Sequence, residues 1–298
     1  MHIHTSGDEK ADSSIGYLEN FNFETLEDSA IAQTFLKNGY FKFKVRDLKA
    51  LNLLKKEVAK LAAKHAPVDF DINCDDAAID IFLNSAHSKI SLTELNRIRM
   101  AIYADLNANR WFRPLYYNLG KFALDAILGN ELVMQNRVNL SIQFPKDDSS
   151  LLPAHCDFFS GESPFQVVLW TPLVNVFDTK SMFILSPDEN KKLIPSIAKH
   201  RSMNTIFDSI KNKVSFLNIN FGEAMVFSPN LLHGNVVNQV PETRWSFNAR
   251  FKSLLSPYNE IEGNEKKLGM FYLPITTKPV TKIGMVHRHP EGFDDENN

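Results

Sequence analysis

The sequence predicts an α+β fold: an N-terminal layer of helices followed by antiparallel β-structure, whose natural closed form is a cupin-like jelly-roll barrel. Two patterns and one physical requirement predict it. Helix-period apolar spacing fills residues 21–130. After Gly129 it gives way to short β-branched and aromatic runs punctuated by Pro, Gly, Asn and Asp. The helices alone have nothing to cover, so the 298 residues, 44% of them hydrophobic, read as one domain with one large core. Within it, 1–20 is expected to be a flexible segment, 21–130 mainly helical support, 131–253 the β core and 254–298 an irregular C-terminal segment.

The elements follow in order. The polar start carries His2 and His4, read as part of an exposed tail. LEDSAIAQTFLKN predicts a short helix ending at Gly39, and YFKFKV alternates as a strand. Asp47 is placed to cap LKALNLLKKEVAKLAAKH, in which Leu51, Leu54, Val58 and Leu61 share one face. From 91 to 128 the pattern is helical again, opened by Ser91 and Glu94 at capping-box spacing. Strands are expected in LVMQNRVNLSIQFP, PFQVVLWTPLVNVF, SMFILS, VSFLNINF, EAMVFSP and RWSFNARF. One helical interruption falls at about 188–212. Its charge run KKLIPSIAKHR reads as a solvated helix face, with a lid near a site as the alternative. Beyond 254 there is little periodicity and an acidic end.

Charge and cysteine content exclude several classes. With 33 basic and 35 acidic residues the net charge is -2, so nothing supplies the basic face that nucleic acid or an anionic membrane needs. Cys74 and Cys156 are too few for a disulfide framework and fit a reducing compartment. No run reaches transmembrane length and the start has no apolar signal core. A cytoplasmic protein acting on a small molecule is expected, with homo-oligomers possible.

Chemistry is concentrated in three short stretches. In LLPAHCD, His155 and Asp157 at i and i+2 of an extended segment face one space, while Cys156 faces away into the interior. His-x-Asp alone reads as a solvated polar pair, and only the further stretches turn it toward a metal site. FSPNLLHGN delivers His233 just after the strand EAMVF, with Gly234 allowing close backbone approach. TRWSF puts Arg244 and Ser246 on one strand face, and a guanidinium forks onto a carboxylate through two parallel hydrogen bonds. Two histidines and one carboxylate form a facial triad that leaves three positions open on an octahedral iron(II). Zinc is satisfied by the same three ligands plus water, so the triad alone does not choose the metal. The arginine–serine pair favours iron with a 2-oxo acid and O₂.

The order His155-x-Asp157, then His233, then Arg244-x-Ser246 eleven residues on, resembles the iron(II)/2-oxoglutarate-dependent oxygenases, and within them the phytanoyl-CoA dioxygenase-like branch. The stretches RVNLSIQFPKDDSSLLPAHCDFFSGESPFQVVLWTPLVNVFDTKSMFIL and HGNVVNQVPETRWSFNARFKSL are similar to a bacterial subgroup found in carbohydrate-biosynthesis gene clusters. The resemblance covers about residues 135–253. It implies a double-stranded β-helix, with His155, Asp157 and His233 as iron ligands and Arg244 with Ser246 anchoring the distal carboxylate of 2-oxoglutarate. It further implies oxidative decarboxylation of that cosubstrate and hydroxylation of a C–H bond, the subgroup pointing to a sugar or sugar-bearing intermediate. The family's usual N-G-P-L is absent; DTKSMFIL stands there, which leaves the contacts of Lys180 and Ser181 open.

Further residues carry two readings each. Asn139 and Gln143 share a strand face and are candidates to hydrogen-bond the cosubstrate, or are ordinary strand polarity. Phe158 and Phe159 follow the aspartate; one is expected at the substrate mouth and the other packed. Arg250 shares a face with Arg244 and either meets an anionic substrate group or the cosubstrate's inner carboxylate, or makes a structural ion pair. Trp170 is expected in the core, and His65, His87, His200, His287 and His289, lacking a same-face carboxylate, at the surface. Two rival functions use the same residues: a cupin-like isomerase or lyase without O₂, and a non-catalytic metabolite binder.

Overall fold

The computed structural model describes residues 23–66, 68, 71, 75–197, 203–258 and 266–287. His2, His4, Cys74, His200, His289 and the acidic end lie outside the described residues.

The first helix, α1 (Leu26–Asn38), is capped by the Thr25 side chain and stops at Gly39, whose φ of 76° favours glycine. Strand β1 (Tyr40–Lys44) follows, then α2 (Leu48–His65), where Asp47 accepts from the Ala50 amide as its spacing predicts. Next come α3 (Asp76–Asn84), α4 (Leu92–Ala108) and α5 (Phe112–Leu128). Helix α3 has no counterpart in the sequence reading, although Asp75 caps it and Ile79, Phe82 and Leu83 are buried. The capping box expected at Ser91 does not form. Its hydroxyl bonds Thr93 Oγ1 at 2.7 Å, and Glu94 turns to Arg97 instead.

The β-rich part runs β2 (Leu132–Gln135), β3 (Asn139–Gln143), β4 (Gln166–Pro172), β5 (Phe183–Ile184), α6 (Pro187–Ile197), α7 (Met203–Ile210), β6 (Ser215–Phe216), β7 (Glu223–Phe227), β8 (His233–Gly234), β9 (Arg244–Ser253), β10 (Tyr272–Thr276) and α8 (Pro279–Gly284). The helical interruption is thus two helices. Seven strands form one antiparallel sheet in the order β1-β7-β4-β9-β2-β10, with β3 also on β9. A second antiparallel sheet has the order β6-β5-β8. The stretch past 254, expected to be irregular, contributes β10 to the edge of the large sheet. Pro274 and a register shift between Pro274 and Thr276 break the alternation that would have revealed it.

Helices and sheet share the core. Tyr116 on α5 donates to the Leu169 carbonyl at 2.7 Å, and Trp245 on β9 donates to Leu83 at 2.8 Å. Lys180 is wholly buried, bonded to Asn84 at 2.7 Å and Glu242 at 2.6 Å, which ties the loop after β4 to α3. Val168 and Trp170 of β4 in the large sheet and His233 and Gly234 of β8 in the small one border the same cavity.

Candidate metal centre

Backbone pairing assembles the three predicted ligands. The His155 amide donates to the His233 carbonyl at 2.9 Å and the His233 amide returns the bond at 3.0 Å, so β8 and the segment at 155 form an antiparallel bridge. The Asp157 amide donates to Pro229 at 2.9 Å and opens a 3₁₀ turn, Asp157–Ser160, rather than continuing an extended strand. One donor atom from each of His155, Asp157 and His233 lies within 4.8 Å of the others. No helix among the described residues is long and apolar enough to cross a membrane.

Each histidine is held in one tautomer. His155 Nδ1 meets the Pro153 carbonyl at 2.7 Å and His233 Nδ1 meets the Leu231 carbonyl at 2.8 Å. A carbonyl only accepts, so Nδ1 carries the proton and Nε2 is the lone pair left for a metal. Gly234 makes the bridge possible: a Cβ there would stand 2.9 Å from the carbonyl oxygens of both Leu152 and Pro153. Gly234→Ala is therefore expected to push β8 off its partner and cost about 1–3 kcal/mol, measured by denaturant unfolding.

Asp157 offers its two oxygens to different neighbours. Oδ1 lies 3.5 Å from His155 Nε2. Oδ2 accepts from Arg250 Nε at 2.9 Å and from its terminal nitrogen at 2.7 Å. Arg250 also faces Glu162 at 3.3 Å, and Lys266 holds Glu162 from its other side at 2.8 Å. Of the readings open for Arg250, the ion pair is the one these contacts make. Burial opposes a charge on Asp157, but the adjoining His155 side chain and the charge of Arg250 outweigh it and hold the carboxyl well below the usual carboxylate range.

Burial, and then the neighbouring His155, push His233 down to about 4, so it is neutral at pH 7 as a metal ligand must be. Its ordinary value is 6.5, so between the two values the unfolded chain binds the extra proton. The metal-free protein is accordingly expected to lose stability as the pH falls from about 6.5 toward 4. Unfolding at pH 7 and pH 5 checks this, and His233→Gln is expected to flatten the difference.

Arg244 is the opposite case to Arg250. It is fully buried, its terminal nitrogen donates to Ser141 Oγ at 3.1 Å, and no ion pair reaches it among the described residues. Its Nε, the hydroxyl of Ser246 and Oε1 of Gln143 are all buried without a partner. Burial pulls the guanidinium down to about 10, which still leaves it charged at pH 7. A cavity of about 90 Å³ joins Arg244 to His155, Asp157 and His233; Ser141, Trp170 and Met182 complete much of its wall. Residues of both sheets line it.

The other expectations divide. Asn139 bonds Asn248 at 3.0 Å and borders a wider outer cleft, whereas Gln143 gives its amide to the Val236 carbonyl at 2.8 Å and borders neither space. Ser246 stays behind the cavity wall. Phe158 and Phe159 are 47% and 49% exposed, so neither packs inward as one was expected to. Trp170 is buried and also faces the cavity. Cys156 is buried away from the triad, its thiol donating to Asn230. His65 is a correction: it meets Asp105 of α4 at 2.8 Å, a carboxylate that spacing within α2 did not reveal. His87 likewise bonds Thr243 at 3.1 Å, while His287 is exposed. Ser141 and Asn248 were not foreseen. Both stand at even spacing between flagged residues, a signal the sequence does carry.

No protein-family model matches the chain, and no curated protein matches it. Solved structures do. A non-heme monooxygenase, ThoJ in complex with nickel, is similar at 14% identity over 84% of this chain and 85% of that one, with a TM-score of 0.51. Its apo form is similar at 12% identity over 83% and 84%, with a TM-score of 0.52. HygX from Streptomyces hygroscopicus, solved with nickel and 2-oxoglutarate bound, has a TM-score of 0.48 at 14% identity over 79% and 89%. The chain shares the fold of ThoJ.

Proposed function

We propose that the protein is an iron(II)- and 2-oxoglutarate-dependent oxygenase whose two sheets close as a double-stranded β-helix. The observation that carries the reading is a buried, charged arginine with no counterion among the described residues, in the same small cavity as a His-Asp-His cluster. A buried charge left unpaired costs several kcal/mol, so a cavity built this way is made for an anion. A metal fits the donor set: two Nε2 atoms and one carboxylate oxygen, each oriented by a hydrogen bond behind it.

His155, Asp157 and His233 would hold the iron. Arg244 would fork onto the far carboxylate of 2-oxoglutarate, with Ser141 on the cavity wall as a further donor and Ser246 behind that wall. When bound, ferrous iron with 2-oxoglutarate and O₂ supplies oxidation of a C–H bond, 2-oxoglutarate leaving as succinate and CO₂. The chain's own part is to keep Nε2 unprotonated, hold Asp157 Oδ2 on Arg250, and confine the reacting groups away from water. A sugar-bearing substrate, as the resemblance implies, is part of the proposal.

Anaerobic titration with iron(II) and 2-oxoglutarate tests it, read by the weak visible charge-transfer band and by succinate release on admitting air. Metal binding without succinate formation would favour the O₂-independent isomerase or lyase reading. Absence of metal binding would leave only the metabolite binder.

A further inference from the structure

Beyond the metal-binding cavity the space widens into a cleft of about 800 Å³, within the range that holds a drug-sized molecule. Ser141, Leu152, His155, Asn248 and Arg250 line both, so the cleft opens directly onto His155. One wall is a face of α4. Leu92, Asn96, Arg99 and Tyr103 recur there at three- to four-residue spacing and all border the cleft. The facing wall is β3 with the loop that carries Ser149 and Ser150.

The charge of this cleft is one-sided. Among the described residues, no carboxylate borders it, while two guanidiniums do. Asp157 and Glu162 neutralise that of Arg250. That of Arg99 is not neutralised: its one side-chain contact among the described residues is Asn96 Oδ1, at 2.6 Å on the same helix. Asn96, Asn139, Ser141, Asn248, Ser149 and Ser150 add neutral polar groups to the lining, the last two with hydroxyls that already donate to the buried Asp147.

We propose that the cleft takes an organic anion: a hydroxylated molecule whose carboxylate or phosphate is read by Arg99 and whose neutral part lies toward His155. This rests on the oxygenase reading of the adjacent site and names its substrate class. Arg99 is then a specificity residue. An anionic group gains a charge-assisted fork that a neutral analogue cannot make, and the analogue leaves the guanidinium unpaired. The helical layer would thereby choose the substrate, while the sheets hold the metal.

Calorimetric titration of the full chain, loaded with redox-inert nickel(II) and 2-oxoglutarate, tests it with glucose 6-phosphate, glucuronate and glucose as probes. The expected result is at least about tenfold tighter binding of one anion than of glucose. Comparison of the two anions separates a phosphate from a carboxylate preference. Arg99→Gln is expected to erase that margin and Arg99→Glu to invert it. Equal binding of all three probes by the parent, or an undiminished margin in Arg99→Gln, overturns the proposal. The titrations are repeated on metal-free protein, so the anion result stands by itself. Failure of the parent to bind nickel(II) and 2-oxoglutarate counts against the oxygenase reading alone.

Discussion

Asp157→Ala is expected to weaken ferrous-ion binding at least about a hundredfold and, separately, to destabilise the metal-free protein. Loss of a residue that merely orients a ligand already costs about 10–100-fold in metal affinity, and Asp157 would be a ligand itself. The second effect comes from Arg250. Its guanidinium makes two bonds to Asp157 Oδ2 and keeps only the longer contact to Glu162 once that carboxylate is gone. Breaking a buried ion pair by removing one partner costs about 3–5 kcal/mol, and the surviving Glu162 places the expectation at the lower end. The depressed carboxyl makes this stability depend on pH. The stability Asp157 contributes is present above its unfolded value of 3.8 and is lost as the pH falls below it. The parent's advantage over Asp157→Ala is therefore expected to shrink in strong acid. Isothermal titration with iron(II) under nitrogen and urea unfolding at two pH values measure the two effects. An alanine variant that binds iron as the parent does would remove Asp157 from the ligand set.

Arg244→Met carries the opposite sign. Methionine fills a similar volume, brings no charge, and ends the cost of burying a guanidinium that has no counterion. The metal-free variant is expected to be more stable than the parent by about 1–3 kcal/mol. It should lose its 2-oxoglutarate site at the same time. The parent is expected to gain thermal stability when 2-oxoglutarate and iron are added, by the ordinary linkage of ligand binding to folding, and the variant to gain only from iron. A destabilised Arg244→Met would mean that its bond to Ser141 outweighs the buried charge, and that the cavity was not built around an anion.

These two arginines sit six residues apart on one face of β9. Much else was legible. The helices α1, α2, α4 and α5 show themselves through apolar spacing, because a helix of many turns repeats its buried face often enough to be seen. Helix α3 was not seen, since nine residues offer too few repeats. Strand β10 was hidden by a proline. The two histidines and the aspartate were legible for a different reason: few chemistries call for those donor types together, whereas Ser246 stays behind the cavity wall. The wall of the outer cleft was not legible, because Arg99 and its neighbours look like any polar helix face until β3 is packed opposite.

Donor types, the order in which they occur and the shared face of Arg244, Ser246 and Arg250 are determined along the chain, because strand periodicity is a local property. Which guanidinium has a counterion is decided only in three dimensions. Arg250 finds Asp157 and Arg244 finds no carboxylate among the described residues, although they belong to the same strand. Charge compensation depends on separation in space, and the partner of Arg250 lies 93 positions away, where only the closing of the 155 segment onto β8 brings it within 3 Å.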